Sequence, residues 1–273
     1  MKIGVCIRAW NVQNIICDWV KYYTNLGFDK IIIYDNMSEP SIEETLNIQG
    51  IYDMNQDSSH IEIIIDTVDH SNQGNVYMDC INKNKDLDWL LLCDADEFIY
   101  IKDGTIKDFL NTFSNDTATI LINWVVFGTS GNPTYNKNKT IYEQFTKREN
   151  YNHFWNIFVK SFIRPQLIDT FGNVHVTTNK NYKMKDVYNN ILKYNKDIGK
   201  SDYIDIKLSD NTPVVIIHYM TLDFESMMKK YNRYGKHYGW NKNDNKYSLE
   251  WYNGNTNCSF KDNNIDKRML KFM

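Results

Sequence analysis

The stretch from Asp88 to Tyr100, DWLLLCDADEFIY, decides the fold. Trp89 to Cys93 is an apolar run with no polar interruption, the pattern of a strand buried on both faces in a parallel sheet. The run then releases Asp94, Asp96 and Glu97, with only Ala95 among them. In an open α/β sheet the carboxyl ends of the strands form the ligand-binding rim, so these acids stand on it. Carboxylates this close repel one another and need a counter-charge. A divalent cation supplies one, because Mg²⁺ or Mn²⁺ takes oxygen ligands and bridges carboxylates to substrate phosphates. Taken alone, the same residues also read as a solvated acidic turn after a core strand.

The surrounding chain sets that strand in an alternating series. Lys2 to Ile7, Lys30 to Tyr34 and Ile61 to Ile65 are strand-like. Between them, Ile15 to Leu26 carries apolar residues at helical spacing and ends at Gly27, and Ser41 with Glu44 reads as a capping box. Asn75 to Lys85 reads as a helix before the 88–100 strand. Strand and helix in turn imply a parallel sheet, and its polar strand ends, Arg8, Asp35, Asp66 and Asp94, line one crevice. Beyond it the texture changes. Thr119 to Val126 reads as a strand, Phe127 to Asn132 as a glycine-containing loop, and Tyr151 to Arg164 as an aromatic segment closing in a strand. Val174 to Val176 and Val214 to Ile217 are strand-like, the second ending at His218 and Tyr219. Phe224 to His237 reads as a helix capped by Asp223. From Asn241 the sequence is polar and rich in Asn.

Composition narrows the partners. The 273 residues carry 31 Lys and Arg against 34 Asp and Glu, a net charge of −3. No basic excess exists to neutralise phosphates, so nucleic acid is not an expected partner. Five cysteines fall in no paired motif and read as reduced thiols. No signal peptide is visible, and no apolar run approaches the roughly 18 residues that a membrane span needs. The chain therefore reads as soluble and cytoplasmic, with peripheral membrane contact left open.

Four blocks, in order, resemble the GT-A nucleotide-sugar glycosyltransferases of families 2 and 92. They are CIRAWNVQNIICDWVKYYTNLGFDKIIIYDNMS, DWLLLCDADEF, NWVVFGTSG with FVKSFIRP, and HYMTLDFESMMKKYNRYG. The resemblance implies an α/β GT-A (Rossmann-like) fold. It has a mostly parallel central sheet flanked by helices and a mixed α+β C-terminal part. It divides the chain into a nucleotide-binding half at 1–118, an acceptor half at 119–240 and a polar extension at 241–273. It implies a glycosyltransferase that uses Mn²⁺ or Mg²⁺, takes a nucleotide-sugar donor (a UDP-sugar first), inverts, and glycosylates a glycan or other hydroxyl. There are departures. The family's Glu after the Asn is Val12, the Gly of its Asp-Asn-Gly-Ser turn is Met37, and a Lys-Ser after the His-Tyr is Leu222-Asp223.

The resemblance also implies roles, each beside a plainer reading. Asp96 is the first choice as direct metal ligand, with Asp94 nearer the ribose or a metal-bound water and Glu97 a structural acid. Asp35 accepts the N3–H of uracil, or simply closes a turn with Asn36. Arg8 faces the base or a phosphate, or pairs with Asp35. His218 is the third metal ligand, with His175 its competitor and a core histidine the alternative. Lys160 and Arg164 bind diphosphate oxygens or form a solvated basic face. Glu143 is the candidate general base, with Glu149, Asp169 and Asp223 as alternatives. Trp124, Phe127, Tyr151, Phe154 and Trp155 stack on sugar rings or belong to the core. Two other functions compete. One is a haloacid-dehalogenase-type phosphohydrolase, which places its Asp pair on the first strand. The other is an inactive sugar- or nucleotide-binding protein on the same fold.

Overall fold

The computed structural model describes residues 1–52, 60–67, 73–170, 175, 181–192, 206–234 and 260–261. The first half alternates as the sequence implies. Its elements are β1 (Ile3–Ala9), α1 (Ile16–Asn25), β2 (Lys30–Asp35), α2 (Ile42–Ile48), β3 (Ile61–Ile65), α3 (Gln73–Lys83) and β4 (Trp89–Cys93). All four strands run parallel in the order β3-β2-β1-β4. The second half contributes β5 (Glu97–Ile101), α4 (Ile106–Asn111), β6 (Thr117–Val126), α5 (Ile141–Gln144) and β7 (Lys147–Arg148). It continues with β8 (Val159–Ile163), β9 (Lys183–Asp186), β10 (Ile191–Leu192), β11 (Val214–His218), α6 (Phe224–Tyr234) and β12 (Phe260–Lys261). Here β8 lies antiparallel between β4 and β6, while β9 and β11 both run parallel to β6. The architecture is the expected α/β class, with the parallel part in the first half and mixed pairing beyond it. A single ten-stranded sheet crosses from one half to the other.

DWLLLCDADEFIY is not one strand. β4 is buried along its whole length, and Asp94-Ala95-Asp96 then turns the chain into β5, with the Glu97 amide donating to the Asp94 carbonyl over 3.1 Å. Among the described residues β5 pairs with β11 alone, placing Glu97 opposite His218. The acids therefore sit on a corner between two strands, and His218 arrives there by strand register.

Packing holds this corner from behind. α1 buries Ile16, Trp19, Val20, Tyr22 and Tyr23, and ends at Gly27 with φ of 91°, a left-handed turn open to glycine at little cost. Its aromatic heads reach across to β5. Trp19 Nε1 and the Tyr23 hydroxyl donate to the Glu97 carbonyl, and the Tyr22 hydroxyl donates to that of Ile99. Cys6, Cys80 and Cys93 are buried free thiols. No helix among the described residues is long and apolar enough to cross a membrane. Of the expected 174–176 strand only His175 is described. The end of the 224–237 helix past Tyr234 also lies outside the described residues, as does the 241–273 extension apart from β12, which pairs with β7.

Candidate active site

A cleft of about 350 Å³ opens at the carboxyl ends of β1 and β4. Arg8, Trp10 and Asn14 line it from β1 and the following turn, Asn36 from the end of β2, and Gln73 from the start of α3. Asp94 and Asp96 come from the corner, His218 from β11, and Ser226 and Lys229 from α6. The strand ends thus converge as the crevice rule requires.

The acids are not bare. Lys160, on β8, has no exposed surface; its Nζ donates to Asp94 Oδ2 over 2.6 Å and stands 3.5 Å from Glu97 Oε2. β8 brings it there by lying against β4, the strand that carries Asp94. Burial alone would raise the Asp94 carboxyl, but the Lys160 ammonium overrides it and holds Asp94 well below the usual carboxylate range. Burial likewise lowers Lys160, and the two acids more than restore it. Glu97 behaves oppositely. Burial raises it, Lys160 pulls it back, and repulsion from Asp94 and Asp96 leaves it at about 8. A neutral Glu97 leaves one ammonium facing one carboxylate. Gln73 Nε2 donates to Asp94 Oδ1 over 3.3 Å, so both oxygens of Asp94 already have partners.

Other expected residues find different employment. Asp35 is almost fully buried; its two oxygens accept from the amides of Ser38 and Ile42, each at 2.9 Å. It shapes the turn and the start of α2, while its neighbour Asn36 lines the cleft. Met37 occupies that turn at φ of 56°, a left-handed backbone where the resembled family has glycine. Arg8 pairs with Asp66 rather than Asp35, Nε to Oδ2 at 2.6 Å, with both side chains buried. Arg164 stacks over Trp89 at 4.1 Å and donates to the Thr117 carbonyl, away from the cleft lining. Glu143 Oε2 accepts from the Thr140 amide at 2.8 Å and hydroxyl at 2.9 Å, closing a capping box. Those bonds hold its carboxyl below the usual range. It does not line the cleft. Asp223 caps α6, accepting from the Ser226 amide and hydroxyl.

Two side chains remain in position for a cation. Asp96 Oδ1 and His218 Nε2 both face the cleft, 3.7 Å apart. His218 is held from behind by the Trp124 ring, 4.2 Å between centroids, and by Glu97, whose Oε1 lies 4.0 Å from Nδ1. Glu97 Oε1 is itself buried with no hydrogen-bond partner among the described residues. One carboxylate and one imidazole fit Mn²⁺ or Mg²⁺ when substrate oxygens fill the other positions. The described residues hold no group of three or more His, Cys, Asp or Glu side chains arranged to bind an ion unaided. His175 stands further back, its Nδ1 3.0 Å from the Val159 carbonyl and its ring edge-on to Trp124. Sequence reasoning did not single out Gln73, Lys229 or the Arg8–Asp66 pair. Asp66, as an acid ending a neighbouring parallel strand, carried the one available signal.

Comparison with known proteins adds the family. The glycosyltransferase family 92 model matches residues 1–248. A glycosyltransferase family 92 protein of Ricinus communis is 23% identical over 202 residues, covering 68% of this chain and 32% of its own length. One of Arabidopsis thaliana is 28% identical over 100 residues, covering 36% of this chain and 16% of its own. The chain thus spans about a third or less of these relatives. Among solved structures, glucosyl-3-phosphoglycerate synthase of Mycobacterium tuberculosis, in complex with Mn²⁺, UDP and glucosyl-3-phosphoglycerate, superposes with a TM-score of 0.30 and 13% identity. That match covers 46% of this chain and 44% of the synthase. An active-site mutant of LgtC gives 0.35 and 9%, covering 80% of this chain and 87% of its own. With the family model running through β1, the acidic corner, β11 and α6, the chain belongs to glycosyltransferase family 92.

Proposed function

We propose that the chain transfers a sugar from a nucleoside-diphosphate sugar, a UDP-sugar first, to a hydroxyl of a glycan or other acceptor, with inversion and with Mn²⁺ or Mg²⁺. The observation that carries this reading is the convergence of Asp96, His218, Arg8 and Lys229 on one cleft at the sheet's carboxyl rim. Asp96 and His218 would hold the cation, which as a Lewis acid neutralises the diphosphate as it leaves. Asp94 orients groups beside it from a fixed position, since Lys160 and Gln73 hold both its oxygens. Lys160 sets the charge of the corner from beneath, so the diphosphate contact falls to Lys229, exposed on α6 and paired with Glu225 at 2.9 Å. Lys229 compensates for the Lys absent at Leu222. Base recognition falls to Asn36 and Arg8 on the lining, with Asp35 shaping the turn that presents Asn36. Glu143 serves as general base only after leaving the Thr140 cap, because among the described residues the lining carries no carboxylate except Asp94 and Asp96.

That restricted choice of base also favours a second reading, a family member that binds nucleotide without turning it over. Thermal melts with UDP, with and without Mn²⁺, test the site. UDP at a hundred times its Kd should add about 2.7 kcal/mol when metal is present. Equal stabilisation in excess chelator refutes the cation's role. Asp96→Asn should abolish the metal-dependent gain while sparing the ligand-free melt. UDP-sugar turnover then separates enzyme from binder.

A further inference from the structure

Phe154 and Trp155 are 63% and 40% exposed, the only two sequence neighbours among the described residues with large exposed apolar side chains. Leaving both in water forfeits burial energy, and contiguous exposed apolar surface marks interaction sites. Their backbone is well anchored. They open a 3-10 turn, Phe154–Ile157, whose first residues are capped by His153. Asn156, 1% exposed, ties that turn to the end of β6: its Oδ1 accepts from the Val126 amide at 2.9 Å and its Nδ2 donates to the Asn150 carbonyl. Asn123 Nδ2 donates to the Asn156 carbonyl from the same strand. The two rings are thus presented by the sheet itself.

The rings also connect to the cleft. Trp155 stacks on Phe158 (5.5 Å between centroids, 29° between planes), Phe158 stacks on Trp124 (5.4 Å, 26°), and Trp124 packs on His218 at 4.2 Å. Phe154 packs at steep angles against both Trp155 and Phe158, 69° and 83° between planes, and stacks on neither. A ligand on the outer rings therefore sits three ring contacts from the His218–Asp96 pair.

We propose that Phe154 and Trp155 form a sugar-binding platform for the acceptor, taking the C–H face of a pyranose ring whose substituents are equatorial. An aromatic ring face carries negative charge that attracts weakly positive hydrogens. A pyranose with axial C–H bonds on one side offers such a face, and its rim of hydroxyls demands hydrogen-bonding groups. Asn152 and His153, on the same turn, supply amide and imidazole groups. The placement rests on the transferase reading above, which names the neighbouring cleft as the donor site.

The test uses saturation-transfer NMR on the full chain with methyl β-D-glucopyranoside and methyl β-D-galactopyranoside, alongside melts with UDP and Mn²⁺. Wild-type protein should transfer saturation to ring protons of the glucoside, whose substituents are all equatorial, more strongly than to those of the galactoside, whose O4 is axial. Phe154→Ala/Trp155→Ala should lose at least four-fifths of that signal, and Phe154→Tyr/Trp155→Phe should keep most of it. Both variants should keep the wild-type melting point and UDP–Mn²⁺ shift, because the replaced rings are exposed and lie off the cleft lining. No transfer to the glucoside in the wild type, or full transfer in the alanine variant, overturns the platform. If instead glycosides bind through these rings while UDP–Mn²⁺ does not bind the wild type, the donor reading falls and the sugar site stands.

Discussion

Lys160→Met offers the sharpest check on the charge arrangement at the corner. The substitution keeps the aliphatic stem and deletes the ammonium 2.6 Å from Asp94 and 3.5 Å from Glu97. Removing one partner of a buried ion pair generally costs about 3–5 kcal/mol, because the other charge is stranded. Two features reduce that here. The Asp94 side chain is 37% exposed and can rehydrate on its cleft side. Glu97, with its carboxyl raised to about 8, holds a proton at neutral pH and strands no charge. The expected loss is therefore about 2–3 kcal/mol at pH 7, at or below the low end of that range. Urea unfolding should show it as a lower midpoint with an unchanged slope. The pH dependence carries a sign. In the wild type Asp94 is depressed by Lys160, so its contribution is present above about pH 4 and lost as pH falls below that. Without Lys160, burial raises Asp94, and the variant should regain ground on the wild type as pH drops from 7 toward 5. Adding Asp94→Asn to the variant should recover much of the loss. A Lys160→Met protein within 0.5 kcal/mol of wild type at pH 7 would refute the counter-charge reasoning.

Glu97→Gln should flatten the stability profile from mildly acid to neutral pH. With a folded value of about 8 against an unfolded value of about 4.3, Glu97 contributes stability that is complete below the lower value and lost as pH rises through the upper one. Between them the wild type should lose about 1.4 kcal/mol per pH unit from this group and the Gln variant none of it, which unfolding at pH 6 and pH 7 would reveal; parallel profiles sink the assignment. Glu143→Gln keeps an oxygen for the Thr140 cap, so the melt should move little while transfer falls about 100-fold or more. Transfer within twofold of wild type reduces Glu143 to a helix cap. Met37→Gly relieves a left-handed residue whose side chain is 58% exposed. The strain of about 1–2 kcal/mol exceeds the roughly 0.5–1 kcal/mol entropic cost of glycine, so the melting point should rise slightly, and a fall would show that the Met37 side chain contributes.

The parallel half was legible because its signals are local. β4 is apolar on both faces, α1 repeats at helical spacing, and Ser41 caps α2, accepting from the Glu44 amide at 3.1 Å. The acidic corner and its meeting with His218 also followed, by the rule for strand ends and by resemblance. The counter-charge did not. Lys160 reads in the sequence as a diphosphate ligand or part of a solvated basic face, yet a Lys alternating into a strand as buried as VKSFI requires an acid within reach, and only pairing of β8 with β4 shows which. The bonds of Asp35 and Glu143 to backbone amides were hidden for a related reason. A carboxylate at a turn serves backbone amides as readily as a ligand, and sequence does not reveal which amides point at it. The break of DWLLLCDADEFIY into two strands depended on β11 arriving from more than a hundred residues away.

The three aromatic heads that α1 lays along β5 also govern how this protein behaves toward other copies of itself. Among the described residues β5 has a sheet partner on one side, and an open strand edge is a template for pairing between molecules. On the other side the Glu97 carbonyl is taken by Trp19 and Tyr23, the Ile99 carbonyl by Tyr22, and the Ile99 amide donates to the Tyr23 hydroxyl. An indole and two phenols thus complete the strand's hydrogen bonding as a neighbouring strand would, but unlike a strand they present no further backbone edge to extend. The segment EFIYI, apolar and β-prone enough to aggregate if uncovered, is sealed by side chains rather than by charge.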